Sequence, residues 1–380
     1  RGISRQRTGD FQGGIEDFTA YLKTNPSGSS ATVARYNLGL CQAEAKQFDE
    51  AIKTYQGILK DDPEYAETDK VLYELGWTFK SQDKDAEAVP YFAKLASEHP
   101  DSPRAAEAHY HVGEDKYDNE KFAAAADSYA AAKAQAGKND LGEKAIHKLG
   151  WANYRLEKFD EAMEAFDEQL KTYPNGPLHA DASFMLGECN FKLENYAAAL
   201  PALEAALAAN PSSDTIKVLC LLHGGQAAAQ LEEPNWEKAI ELISQIPAEH
   251  PDSAYVDEAL YELGWASFNL NKQDDALKYW TRAANEADGA LAARSRFMLG
   301  EVKFAKKDFS GAIEDYVLVV FGFGGESATD DEIKNWQAKA NLQAGQATAI
   351  LAGQAADKAK RDDLIKKAKG YFERIVQKYP

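Results

Sequence analysis

Apolar residues along this chain recur every three or four positions, the spacing of one helix face, and polar residues fill the places between. In LGWANYRLEKFDEAMEAFDEQLKTYP (149–174) the apolar positions form two such runs, parted by a short polar stretch and closed by proline. Each run predicts an amphipathic helix, and the two together predict a helix–turn–helix unit. The unit repeats. LYELGW stands at 72–77 and again at 260–265. Steps of 37 residues from Gly76 reach Gly2, Gly39, Gly113, Gly150, Gly187 and Gly224, and after insertions the ladder resumes at Gly264, Gly300 and Gly345. The two hexapeptides lie 188 residues apart, five periods and three inserted residues, so they occupy one place in two repeats.

A second ladder of small residues runs twelve positions after each glycine: Ala51, Ala88, Ala125, Ala162, Ala199, Ala276 and Ala312, with Gly14 in the first repeat and Ala239 and Ala368 after insertions. Four residues further stands a large apolar side chain, among them Phe18, Tyr55, Phe92, Tyr129, Phe166, Ile243, Trp280, Tyr316 and Phe372. Pro63, Pro100, Pro174 and Pro251 follow the second run, and Pro380 closes the last repeat. Small residues on both helices let the axes approach, the ring one turn on fills the space beyond, and proline ends the second helix because it has no N–H. The Pro-Asp-Ser and Pro-Asn-Gly segments at 100–102, 174–176 and 251–253 are expected to cap the next helix, with Pro103 and Pro177 at its first residue. Pro90 and Pro201 fall inside second helices and are expected to kink them.

Such a pair cannot bury its apolar face alone, so pairs must stack. The expected fold is all-α: a right-handed superhelical α-solenoid of about ten repeats, one array over residues 1–380, with a loop insertion at 322–333. Gly2 shares the register of Gly39, so the first repeat starts in mid-helix, and Pro380 directly follows a second helix. Both ends are therefore expected to be truncated, either continuing into a longer solenoid or covered by something else.

Charge narrows the function. The net charge of −18 argues against nucleic acid and anionic lipid as main partners, because phosphates would be repelled. Residues 1–8 carry +3 and residues 358–380 carry +5, which leaves −26 on the body between. No apolar run approaches the ~20 residues of a membrane-spanning helix. Cys41, Cys189 and Cys220 form neither a disulfide framework nor a metal-ligand pattern and read as small buried hydrophobes. His109 and His111, two apart, fall on different helix faces. GFGG at 322–325 lacks the strand–helix setting of a phosphate loop. No metal, cofactor or catalytic constellation is expected.

The small–Ala–aromatic–Pro pattern of 149–174 resembles the tetratricopeptide repeat family, and the likeness covers nearly the whole chain. The period of 37 exceeds the family's usual 34, and linkers reading YP, HP or NP before Asp, Asn or Ser are similar to those of bacterial cell-envelope members. The resemblance implies an interaction scaffold without catalytic chemistry, binding partner proteins in a periplasmic or extracellular compartment. It also implies that the first helix of each repeat lines a concave groove. Three positions on that helix then matter. Three before the glycine stand Tyr36, Tyr73, Tyr110, His147, Phe184, Leu221, Tyr261 and Phe297. Directly after it stand Trp77, Glu114, Trp151, Glu188, Trp265 and Glu301, an alternation suggesting a 74-residue double repeat. Four after it stand Tyr117, Tyr154, Phe191, Phe268 and Phe304. Spaced i, i+4, i+7, they share one face. Aromatic columns punctuated by carboxylates suit an extended or helical segment with apolar and basic residues. The same rings could instead pack consecutive first helices together. The family's clamp for terminal carboxylates needs Lys and Asn where this chain has Tyr, Trp and Glu, so that activity is not expected. A second functional class is a self-assembling filament subunit, with Arg5, Arg7, Lys366, Lys367 and Lys369 as end contacts.

Overall fold

The computed structural model describes residues 1–380 apart from Asn25, Ser27, Ser212 and Pro380 and the side chain of Glu326; the proline expected to close the last repeat thus lies outside the described residues. Those residues form an all-α solenoid of helix pairs, with no strand among them. The helices group into two compact units, Arg1–Cys189 and Asn190–Pro380. The first holds α1 (Gly2–Arg7), α2 (Phe11–Leu22), α3 (Ser29–Glu44), α4 (Phe48–Asp61), α5 (Thr68–Lys80), α6 (Asp85–Glu98), α7 (Ala105–Asp118), α8 (Phe122–Ala136), α9 (Asp140–Arg155) and α10 (Phe159–Thr172). The division falls within α11 (His179–Lys192). The second unit holds α12 (Tyr196–Ala208), α13 (Asp214–Ala229), α14 (Trp236–Ile243), α15 (Gln245–Glu249), α16 (Val256–Asn269), α17 (Gln273–Glu286), α18 (Gly289–Ala305), α19 (Phe309–Phe321), α20 (Asp331–Gln354) and α21 (Lys358–Lys378). α6 and α12 continue through Pro90 and Pro201.

The turn inside each repeat is built from backbone bonds. Seven residues after the ladder glycine, Lys46, Asp83, Glu120, Glu157, Glu194, Asn271 and Lys307 adopt φ of 57–64°, and Gly9 holds the same place at 80°. In the fifth repeat the Lys158 N–H donates to Asn153 O and the Glu157 N–H to Tyr154 O, both 3.0 Å. This 6→1 and 5→2 pairing is the Schellman motif, and it satisfies carbonyls that the helix end leaves open. The same pair of bonds closes α3, α5, α7, α16 and α18.

Between repeats, the linker differs from the capping arrangement expected. His99–Ser102–Ala105, Tyr173–Gly176–His179 and His250–Ser253–Val256 are each linked by two successive i→i+3 backbone bonds. Ser102 Oγ accepts from the Arg104 N–H at 3.2 Å, a local turn rather than a helix cap. Pro103 and Pro177 consequently lie two residues before α7 and α11. The preceding first helix clasps this turn. Asp69 Oδ2 accepts from the Ser102 hydroxyl at 2.7 Å, and buried Glu143 accepts from the Leu178 N–H at 3.1 Å. Both acids stand seven residues before their ladder glycine.

The glycines receive the second-helix rings directly. A Cβ on Gly76, Gly150, Gly264 or Gly300 would lie 2.4–2.6 Å from Phe92, Phe166, Trp280 or Tyr316, below any tolerable contact. The ring therefore fills the approach site itself, not the space beyond it. Phe92, Tyr129, Phe166, Trp280 and Tyr316 are fully buried there. In the irregular repeat the register slips by one: Gly225, not Gly224, meets the large residue, with its Cβ position 2.3 Å from Ile243 Cγ1. The expected loop at 322–333 is shorter. A 3-10 turn occupies Gly325–Ser327, and Asp330 caps α20 by accepting from the Glu332 and Ile333 N–H groups. Asp331, Glu332 and Ile333 of that insertion form the first turn of α20, which runs for 24 residues.

Candidate functional site: the first-helix face

The first-helix residues expected to bind a partner also have partners inside their own repeats. Three before the glycine, each ring packs on the second-helix ring: Tyr36 on Tyr55 (centroids 6.2 Å), Tyr73 on Phe92 (6.4 Å), Tyr110 on Tyr129 (5.8 Å), Tyr261 on Trp280 (6.4 Å) and Phe297 on Tyr316 (5.5 Å). Phe184 and Phe297 are buried, the tyrosines half-buried. Four after the glycine, Tyr154 meets Phe159 edge-on at 5.4 Å, and Tyr117, Phe191 and Phe304 meet Phe122, Tyr196 and Phe309 in the same way. Phe268 packs on Trp280 at 5.9 Å.

The Trp/Glu alternation follows the residue across the pair. Glu114 accepts from the Tyr129 hydroxyl, and Glu301 accepts from the Tyr316 hydroxyl at 2.6 Å. At the three tryptophans of the alternation the opposite ring has no hydroxyl: Trp77 with Phe92, Trp151 with Phe166, Trp265 with Trp280. Glu188 is buried opposite Leu203 and does not follow the rule. Trp77 meets Phe92 and His111 edge-on, at 6.4 and 5.1 Å. The Trp151 indole N–H donates to His147 Nε2 at 3.0 Å. His147 Nδ1 then faces Gln169 Oε1 at 3.1 Å and must be the protonated nitrogen. Burial lowers the pKa of this imidazole and keeps it neutral.

The duplicated LYELGW builds one environment twice. Tyr73 and Tyr261 are covered by guanidiniums of the following repeat, with Arg104 5.4 Å and Arg294 3.7 Å from the ring centroids. Beside them, burial raises the carboxyl pKa of Glu74 and of Glu262, and the same arginines oppose the shift. What faces the two acids differs. α3 presents Tyr36, which with Arg104 opposes the upward shift at Glu74. α13 presents the run GGQAAA (224–229), whose one long side chain, Gln226, donates to Glu258 Oε1 at 3.1 Å and to Glu262 Oε1 at 3.4 Å. A cavity of about 520 Å³ opens there, lined by Phe191, Tyr196, Gln226, Gln230, Tyr261, Glu262 and Trp265. Trp265 is 36% exposed. Neither Glu74 nor Glu262 belongs to the stripe set out from the sequence. The hexapeptide itself was the signal for them, since it repeats Glu as faithfully as Tyr and Trp.

The basic residues expected at the ends are placed as follows. Arg5 pairs with Asp10 at 3.4 Å and Asp17 at 3.5 Å, within the first helix pair. Lys367 pairs with Asp363 at 2.8 Å, one turn back on α21. Arg7, Lys366 and Lys369 are exposed. Cys41, Cys189 and Cys220 are all buried. Among the described residues no cluster of three or more His, Cys, Asp or Glu could hold a metal ion, and no helix is long and apolar enough to cross a membrane.

No curated protein matches the chain. Several solved structures resemble it. MamA (41-end) of Desulfovibrio magneticus RS-1 is 22% identical, with 47% of this chain and 93% of that one covered and a TM-score of 0.40. A tetratricopeptide repeat protein of Parabacteroides merdae ATCC 43184 is 16% identical over 72% of this chain and 99% of its own, with a TM-score of 0.43. YrrB, described as having an unusual peptide-binding site, is 20% identical over 54% of this chain and 96% of its own, with a TM-score of 0.45. Three family models described as tetratricopeptide repeat match the sequence itself, one at 1–66, 147–214 and 258–320, the others at 190–263 and 70–102. The first alone spans more than half of the residues, so the chain belongs to the tetratricopeptide repeat family, a family of protein-interaction scaffolds.

Proposed function

We propose that this chain is a non-catalytic adaptor that binds segments of partner proteins along its first-helix face. The observation that carries the reading is the cavity at Trp265. It joins aromatic walls to a desolvated carboxylate and stays open where the preceding helix supplies small residues on either side of Gln226. Rings offer contact area at low entropic cost, and carboxylates select basic over acidic segments. The net charge of −18 favours the same choice at longer range. The 37-residue period motivates a bacterial cell-envelope location as part of the proposal, which fractionation of the native cell tests; recovery in the cytoplasm would overturn that part.

The binding reading is tested by selecting a displayed random-peptide library on the immobilised full chain. Apolar peptides carrying Lys or Arg are the expected winners. Trp265→Ala should lose them while its circular dichroism stays unchanged. Selection of acidic peptides, or equal capture by Trp265→Ala, would sink the proposal.

A further inference from the structure

We infer that the cavity between α13 and α16 is a specificity pocket for the guanidinium of an arginine side chain on the bound protein segment. The inference rests on the reading of this face as a segment-binding surface and names what one place on it recognises.

Three observations converge. First, the local charge is unbalanced. Glu258 and Glu262 lie one turn apart, share the amide of Gln226, and have Arg294 as the cation acting on Glu262. Two carboxylates against one guanidinium leave a net negative charge in a partly desolvated site, which favours a cation. Second, aromatic rings line part of the cavity: Phe191, Tyr196, Tyr261 and Trp265, with Trp265 backed by Phe268 at 6.4 Å and 27° between their planes. A planar, weakly hydrated guanidinium stacks on such rings better than a compact ammonium does. Third, the fold already uses this pairing. Arg104, Arg155, Arg294 and Arg374 lie 3.7–5.4 Å from the ring centroids of Tyr73, Phe122, Tyr261 and Phe321.

The first LYELGW copy explains why the pocket is at the second. There Tyr36 stands by the equivalent acid, Glu74, and opposes the upward pKa shift that burial causes. At Glu262 the facing helix has buried Leu221 in the register of Tyr36 and reaches the acid through Gln226, whose neighbours Gly225, Ala227, Ala228 and Ala229 are small and leave the cavity open to a ligand.

The test uses the full chain labelled with 5-fluorotryptophan at its six tryptophans, followed by fluorine NMR. The Trp265 resonance is the one absent from Trp265→Phe. Titration with N-acetyl-arginine amide should shift it at millimolar concentration, the range for one side chain. N-acetyl-citrulline amide, uncharged and of the same shape, should need at least tenfold more. Glu262→Gln should weaken the arginine response about tenfold. An equal response to citrulline, an unchanged response in Glu262→Gln, or no shift with arginine overturns the pocket. Stronger binding of N-acetyl-lysine amide overturns its guanidinium character. The outcomes separate the two levels of the reading. Peptide selection that succeeds without arginine preference would overturn the pocket alone. Arginine binding with no peptide selected would overturn the wider reading alone.

Discussion

Glu74 and Glu262 tie the repeat chemistry to stability. Burial is the main cause of their raised pKa values; Arg104 and Tyr36 oppose it at Glu74, and Arg294 and Gln226 at Glu262, while Glu44 and Glu258 add to it. A carboxyl whose folded pKa exceeds its unfolded pKa binds its proton more tightly when folded. Its contribution is fully present below the unfolded value of about 4.3 and is lost as pH rises through the folded value. At pH 7 both acids are therefore expected to cost stability. Glu74→Gln and Glu262→Gln keep the hydrogen-bonding shape without the charge, so each should raise the melting temperature at pH 7. The gain should vanish below about pH 4. Thermal melts at the two pH values check this; an equal gain at both would assign the effect to packing. The stabilised Glu262→Gln variant also ensures that weaker arginine binding is not a sign of unfolding.

At the scale of the helix pair, the turn is where local strain resides. Glu120 and Glu157 hold left-handed backbone at φ 58°, and both side chains are exposed. A side chain there costs about 1–2 kcal/mol in L-residues, of which glycine's greater freedom in the unfolded chain takes back about 0.4–1. Glu120→Gly and Glu157→Gly should each stabilise the protein by about 0.5–1 kcal/mol in urea melts. A loss would reveal a contact made by the carboxylate. This turn was the part of the repeat least legible in the sequence. The glycine and its ring were readable because both sides of that contact are sterically constrained, which leaves few residue types. The turn position varies among Lys, Asp, Glu and Asn, because its conformation is set by the two helices that flank it. The slip from Gly224 to Gly225 was hidden for a related reason: two adjacent glycines offer the same chemistry, and only the packing of Ile243 chooses between them. The Trp/Glu alternation was legible as a pattern, yet the partner of Glu114 or Glu301 lies fifteen residues away, in the hydroxyl of Tyr129 or Tyr316. The cavity at Trp265 was not legible at all. It depends on what α13 lacks, and periodicity records only what is present.

Within each compact unit, helices pack chiefly on the helices before and after them. The buried clusters follow that rule. One gathers Leu72, Phe92, Leu95 and Val112 from α5, α6 and α7; another gathers Trp280, Phe297, Val302 and Tyr316 from α17, α18 and α19. Stability in such an array is a sum of repeat terms and nearest-neighbour terms, so damage should stay local. Gly264 is the place to test it. A Cβ there would lie 2.4 Å from Trp280 Nε1, and the indole cannot yield freely, being fully buried and bonded to Tyr261 O at 3.0 Å. Gly264→Val should therefore cost at least the ~1–3 kcal/mol typical of an overpacked core. Hydrogen exchange read by mass spectrometry should show lost protection over residues 256–321. Residues 29–136, in the other compact unit, should keep theirs. Equal loss in both units would mean that the chain unfolds as one cooperative body, and a partner bound at Trp265 would then stabilise every repeat at once. Local loss would mean that the binding face and the distant repeats answer to separate free energies, so residues 29–136 can change without altering recognition at the pocket.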